Sequence, residues 1–265
     1  MVESPGSFPA NAAASKIVDL IQPTLTALTN YQDRMARLLF EISCLEGLDE
    51  LAATGRLPGA FRARMGKVME LFDESVRAAG RRLRKVGFTV QCRLGCPYCC
   101  HQIPTGVSSA ELIFIYHGMQ QSGAASKLFR RCLEVEELWA ELCRQQAPDA
   151  TRQSALHDQV EALSESYGRL EQPCPFLAAN LCQIYPFRPL ACRMHFSLSP
   201  PPWCRPSHFQ HPYALSLNLE PGKCVIDALE KLEDRFQLNL SGVMICGLLE
   251  LMVNVIRFAR IHWEP

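Results

Sequence analysis

Residues 92–100 read CRLGCPYCC, and residues 172–212 read QPCPFLAANLCQIYPFRPLACRMHFSLSPPPWCRPSHFQHP. The second stretch decides the fold. Its prolines interrupt any helix or central strand, so it must be an irregular strap held by something other than ladder hydrogen bonds. Both stretches are thick with thiols: Cys92, Cys96, Cys99 and Cys100 in the first, Cys174, Cys182, Cys192 and Cys204 in the second. Two clusters of thiols at short spacings are what a zinc or iron–sulfur centre requires. Metal ligation is therefore the expected fastening of the strap.

A disulfide framework is the competing use of so many cysteines. The N-terminal run MVESPGSFPANAAASKIVDL has no basic region followed by an apolar one, so it does not read as a secretory signal. The expected location is the cytoplasm, where thiols stay reduced. The chain's 13 cysteines are an odd number, and the vicinal Cys99 and Cys100 suit a disulfide scaffold poorly, since neighbouring side chains are expected to point apart. Lys plus Arg and Asp plus Glu both number 27, so the basic footprint of a nucleic-acid binder is missing. The most apolar run, MICGLLELMVNVI at 244–256, carries Glu250 and is too short to span a bilayer, which predicts a buried helix and no membrane role.

Outside the two clusters the periodicity is helical. Ile17, Leu20, Ile21, Leu25 and Leu28 mark one helix with a break or kink at Pro23; Met35, Leu38, Leu39, Ile42 and Leu45 mark a second ending near Gly47. After a turn at GRLPG, Phe61, Met65, Val68, Met69, Phe72 and Val76 mark a third reaching Lys85. The run GFTVQC before Cys96 is β-like, and Gly95 and Pro97 suit a tight loop. Ser108 and Glu111 have capping-box spacing at the start of a helix carrying Leu112, Ile113, Ile115 and Tyr116. Amphipathic helices follow over 124–147 and 153–170, separated at Pro148 and Asp149, and two more over 221–237 and 242–261. The expected fold is mainly α: a helical bundle with an irregular Cys- and Pro-rich metal-binding segment. It divides into a platform over 1–87, a cysteine-cluster region over 88–212 and a helix pair over 213–265 that packs back on the platform, all within one globular unit. At 265 residues and 48% hydrophobic composition, the chain can bury a core without relying on a metal for all its stability.

Joining the clusters closes a loop of 73 residues between Cys100 and Cys174. The length-dependent part of that closure costs about 4 kcal/mol, against about 10 to 16 kcal/mol returned by a structural thiolate site. Metal binding outweighs the closure entropy and should order the strap in particular.

The run CRLGCPYCC, followed by CPFL and then LCQIYPFRPLACRMHF, resembles the CxxxCxxCC cysteine-cluster family, the zinc- or iron-chelating proteins of the YkgJ type, whose domain is shared with the flagellin lysine N-methylases. The resemblance covers about residues 90–205. It implies that Cys92, Cys96, Cys99, Cys100, Cys174, Cys182 and Cys192 match the family's cysteines; Cys204, flanked by PPWCRP, matches less closely. Sulfur-only sites favour zinc or iron–sulfur over hard ions. Arg93, Arg188, Arg193 and Arg205 are placed to offset the charge of bound thiolates, or else are ordinary surface charges. Tyr98 and Tyr185 read as packing residues. His101 and His195 each neighbour a cysteine and are weaker candidates for ligation, as is the pair His208 and His211. Cys44, Cys132, Cys143, Cys224 and Cys246 sit on helical patterns and read as small buried hydrophobes.

Three functions fit these residues. The first is a protein whose iron–sulfur or zinc centre is structural, redox-active or a carrier site. The second, implied by the resemblance, is an iron–sulfur-dependent protein lysine N-methyltransferase, which needs S-adenosylmethionine. Cys92, Cys96 and Cys99 share the CxxxCxxC spacing of radical S-adenosylmethionine enzymes, although those are built on strand–helix repeats that this chain lacks. The third is a structural zinc module presenting its helices to a protein partner.

Overall fold

The structure, a computed structural model, describes residues 28–146 and 156–265. The expected helix before Leu28 and the break at Pro148 and Asp149 lie outside the described residues.

Helix α1 (Thr29–Ser43) buries Met35, Leu39 and Ile42. After the short α2 (Leu51–Thr54), the long α3 (Gly59–Lys85) buries Phe61, Met65, Val68, Met69 and Phe72 along one stripe. It ends with Arg82, Arg84 and Lys85 in its last turn, where cations complement the helix dipole. Helix α4 (Ser109–Gln121) is different in kind: every residue from Ser109 to Met119 is buried, so it runs through the centre of the bundle. The expected capping box is formed, with the Ser108 side chain accepting from the Glu111 N–H and the Glu111 carboxylate accepting from the Ser108 N–H at 2.9 Å. Helices α5 (Ala125–Gln146) and α6 (Leu156–Arg169) pack together through Trp139 and Tyr167. Helix α7 (Leu190–Met194) lies within the strap, and α8 (Lys223–Phe236) and α9 (Met244–Glu250) complete nine α-helices among the described residues. One apolar core draws on Met35 and Phe72 from the platform, Phe176, Ile184 and Leu190 from the strap, and Leu232 and Leu248 from the C-terminal helices.

Three features depart from the expected pattern. The C-terminal helix does not reach Ile261: after α9 a π turn (Leu251–Val255) gives way to Arg257 and Phe258 in left-handed backbone, with φ of 51° and 61°. That reversal is held from outside, since Phe258 sits edge-on to Phe129 and the Tyr116 hydroxyl donates to the Ala259 carbonyl at 2.9 Å. GRLPG is not a plain turn. Its Arg56–Pro58 forms β1, paired in parallel with β6 (His262–Glu264), and Trp263 stacks on Phe61. GFTVQC is not a strand; it runs as coil, tied to the strap by the Gln91 N–H donating to the Ser197 carbonyl at 2.8 Å.

The strap also contains two short ladders that its prolines concealed. Strands β2 (Leu177–Ala178) and β3 (Leu181–Cys182) form a hairpin whose turn residues Ala179 and Asn180 both have positive φ, as a two-residue type I′ turn requires. Strands β4 (His195–Ser197) and β5 (Ser216–Asn218) pair antiparallel. Phe196 of β4 is buried against Ala79 and Leu83 of α3, which fixes the far end of the strap.

Phe61 is fully buried between Phe236 and Trp263. Phe61→Ala should lower unfolding free energy by about 3 to 5 kcal/mol, while Arg64→Ala, which breaks a half-exposed pair with Glu41, should cost less than about 1 kcal/mol. Urea denaturation at equal metal load measures both, and equal losses would contradict this packing.

Candidate metal centre

The first thiol loop is shaped by its own backbone. Gly95 sits at φ 81°, a conformation that favours glycine, and the Cys96 N–H closes a turn on the Arg93 carbonyl at 3.0 Å. A 3-10 turn over Tyr98–His101 then carries Cys99 and Cys100, and the Cys100 N–H donates to the Pro97 carbonyl at 2.8 Å.

The strap reaches this loop because its apolar residues enter the core on either side of each thiol. Phe176 follows Cys174, Ile184 follows Cys182, and Leu190 precedes Cys192; all three are buried. The YPF turn (Tyr185–Phe187) lays Phe187 on Phe114 and His117 of α4. A Cβ at Gly118 would meet the Phe187 ring at 2.6 Å, so glycine is what lets the turn come this close. Glu111, buried at 2% exposure, spans the two parts: its carboxylate accepts from Ser108 at the start of α4 and from the Leu190 N–H at the start of α7, at 2.7 Å.

The two thiol stretches therefore meet. The Cys174 N–H donates to the Cys100 carbonyl at 2.6 Å, and the Ser197 N–H donates to Cys92 Sγ at 3.2 Å. Cys92 is within electrostatic reach of Cys96, Cys99 and Cys204, Cys174 of Cys192 and Cys182, and Cys99 of Cys182, Cys192 and Cys204 as well. All 13 cysteines are free. Cys99 and Cys100 do not point apart as expected. Their thiols are in hydrogen-bonding contact, because the tight turn brings neighbouring side chains round to one side.

Crowding makes these thiols hard to ionise. Burial is the leading cause for Cys92, Cys174, Cys182, Cys192 and Cys204, with Cys192 pushed up to about 12, and each also meets the charge of neighbouring sulfurs. Cys99 is pushed far up chiefly by the adjacent Cys100 thiol. A bound cation reverses that balance, since a coordinating thiol gives up its proton.

Arg188 supplies the opposing charge, favouring the ionised forms of Cys99, Cys182 and Cys192. Its guanidinium lies over the Tyr185 ring at 3.8 Å and 3.6 Å from Asp73, yet its Nε is buried without a hydrogen-bond partner. The Tyr167 hydroxyl, within electrostatic reach of Cys174, is a second buried group without a partner, and burial pushes it up to about 12. Of the three such side-chain atoms among the described residues, these two border the thiols; the third is Ser164 Oγ. Buried donors without acceptors are uncommon because each costs about 1 to 3 kcal/mol. Soft sulfur donors, a facing arginine and two waiting hydrogen-bond donors fit an anionic thiolate centre. Among the described residues no three His, Cys, Asp or Glu side chains form a ready-made metal site. The thiols are gathered, and closing them on an ion requires their side chains to turn.

The remaining sequence candidates separate. Arg193 is buried and structural: it pairs with Asp73 at 2.5 Å and donates to the Arg188 and Pro186 carbonyls at 2.8 and 2.7 Å. Arg205 pairs with Glu171 at the surface, and Arg93 is exposed. Tyr185 serves as the platform for Arg188. The His195 ring is engaged with Asn218, and His211 with the Trp203 carbonyl, while His208 stacks on Phe209. Of the isolated cysteines, Cys132 is buried and Cys143 and Cys246 are half-buried, but Cys44 and Cys224 are exposed. Cys44 caps the end of α1, and Cys224 lies in the first turn of α8. Asp73, Glu111, Tyr167 and Ser197 were missed as site residues, and so was Cys132 as a neighbour of Cys174. Only the Ser108 and Glu111 spacing gave a signal, and it gave one for the cap alone.

No curated protein and no solved structure matches the chain. Residues 91–209, a little less than half of the chain, match the sequence model of the CxxCxxCC family, whose description is "putative zinc- or iron-chelating domain". That span contains both thiol stretches and every residue that the strap sends towards Arg188 and Tyr167. The cysteine-rich segment of this protein, residues 91–209, is thus similar to the CxxCxxCC family.

Proposed function

We propose that this protein holds an iron–sulfur or zinc centre through the thiolates of Cys92, Cys96, Cys99, Cys100, Cys174, Cys182, Cys192 and Cys204, and that the centre fastens the strap to the helical body. The observation that carries this reading is the joint at Cys174 and Cys100, where two stretches far apart in sequence meet with their thiols on the side of Arg188. A thiolate centre would give Arg188 Nε and the Tyr167 hydroxyl the acceptors they lack. When bound, the metal supplies positive charge that stabilises the ionised thiols; the chain supplies placement, burial and the compensating guanidinium.

Anaerobic purification with metal and sulfide analysis tests the reading. A brown sample with acid-labile sulfide identifies iron–sulfur, and a colourless sample containing zinc identifies zinc. A metal-free sample that is fully folded would contradict both. Cys99→Ala and Cys182→Ala should each lower bound metal and increase proteolysis within residues 172–212, whereas Cys44→Ala should leave metal content unchanged. Equal loss from all three would show that the thiols are wrongly sorted.

Tyr167→Phe separates the unpartnered hydroxyl from packing. It should leave the metal-free protein as stable as before, or more so, while weakening metal retention about tenfold, the scale seen when a hydrogen-bond partner of a ligand is removed. Unchanged retention in a chelator competition would remove Tyr167 from the site.

A further inference from the structure

We propose that the eight thiols form two centres, an outer one built on Cys92, Cys96 and Cys204 and an inner one built on Cys174, Cys182 and Cys192, each completed by one member of the Cys99–Cys100 pair. This rests on the metal-binding reading above and adds the division of the ligands.

The outer group is organised around Ser197. The Ser197 N–H donates to Cys92 Sγ, its carbonyl accepts from the Gln91 N–H, and the Cys204 thiol is in contact with the same residue. The turn over Tyr98–His101 packs against the turn over Pro201–Cys204, which brings Cys204 to the first thiol loop, within electrostatic reach of Cys96 and Cys99. Cys92 is exposed and Cys96 and Cys204 are half-buried, which leaves this group open to water.

The inner group is organised around the β2–β3 hairpin. The Leu177 N–H donates to the Cys174 carbonyl at 2.9 Å, and Leu177 is in register with Cys182, so the hairpin holds the backbone of both cysteines, and the two thiols are within electrostatic reach. Cys192 arrives from α7, whose first N–H is held by Glu111. Cys174 is within electrostatic reach of Cys192 and Cys182, and also of the helix cysteine Cys132. Cys174 and Cys182 pack against the main core. Arg188 and the Tyr167 hydroxyl lie on this side, and Arg193 adds a second guanidinium near Cys182 and Cys192.

Cys99 stands between the groups, in range of Cys92 and Cys204 on one side and of Cys182 and Cys192 on the other, with the Cys100 thiol against it. Three thiols on each side and a vicinal pair at the boundary give two sets of four, the number a tetrahedral thiolate site takes. Four thiolates around a divalent ion carry a net charge near −2; Arg188 and Arg193, which share the Asp73 carboxylate, leave one net positive charge to offset part of it on the inner side. The inner centre should therefore hold its metal more tightly, and the outer one should exchange it.

The test is zinc stoichiometry and release on the full chain, reconstituted anaerobically with zinc chloride and challenged with a colorimetric chelator. The expected result is two equivalents per chain, leaving in two phases of equal size. Joint Cys96→Ser and Cys204→Ser substitution should leave one equivalent with only the slow phase, and Cys182→Ser one equivalent with only the fast phase, with far-UV circular dichroism checking that each remains helical. Because an inner-site variant can lose its fold, the unsubstituted chain is decisive by itself: one equivalent, or a single phase, overturns the division while leaving metal binding intact. No zinc bound at all would likewise overturn this division, and failure to take up iron and sulfide as well would overturn the metal-binding reading.

Discussion

The strap and the helical body are joined at a buried carboxylate. Glu111 accepts from Ser108, starting the most buried helix of the bundle, and from the Leu190 N–H, starting the short helix that carries Cys192. Burial raises its pKa, and the hydrogen bonds from Leu190 and Ser108 oppose that rise. Each bond to an ionised acceptor is worth about 1.5 to 3 kcal/mol, so the carboxylate fixes both chain segments at once. Without it, the segment between Ile184 and Phe196 would be tied to the body only by its apolar contacts and by the pairs of Arg188 and Arg193 with Asp73.

With the strap fixed at that point, the chemistry of the thiols follows from crowding. Sulfurs that have lost their solvent through burial, and that also repel one another when ionised, stay protonated in the absence of a cation. Binding a metal must release those protons, so affinity should strengthen as pH rises. Arg188 lowers that cost from one side, held in place by the Tyr185 ring and by Asp73 of the long platform helix. The platform is thus electrostatically part of the site, although it contributes no thiol to the two clusters.

Much of this was legible in the sequence, and the exceptions have physical reasons. The apolar stripes of α1, α3 and α8 and the cap at Ser108 are local signals, and each appears where the periodicity placed it. The spacing of the thiols marked out both stretches, and they meet where the Cys174 N–H donates to the Cys100 carbonyl. The C-terminal reversal was hidden because Arg257 and Phe258 adopt left-handed backbone under the hold of Phe129, Tyr116 and the pairing of Trp263 with Leu57, contacts made by residues more than a hundred positions away. The β2–β3 hairpin was hidden by a turn of Ala179 and Asn180 in place of the usual Asn-Gly signal. Asp73 and Tyr167 lie on ordinary amphipathic helices, and only packing shows that they face the strap.

X-ray absorption at the metal edge of the purified protein tests the central claim most directly, because it reads the atoms bound to the metal. The account predicts a first shell of sulfur at about 2.3 Å, with the sulfur signal reduced in both Cys99→Ala and Cys182→Ala, variants drawn from the two distant stretches. A shell of nitrogen and oxygen, or one that responds to substitution in only one stretch, would contradict it.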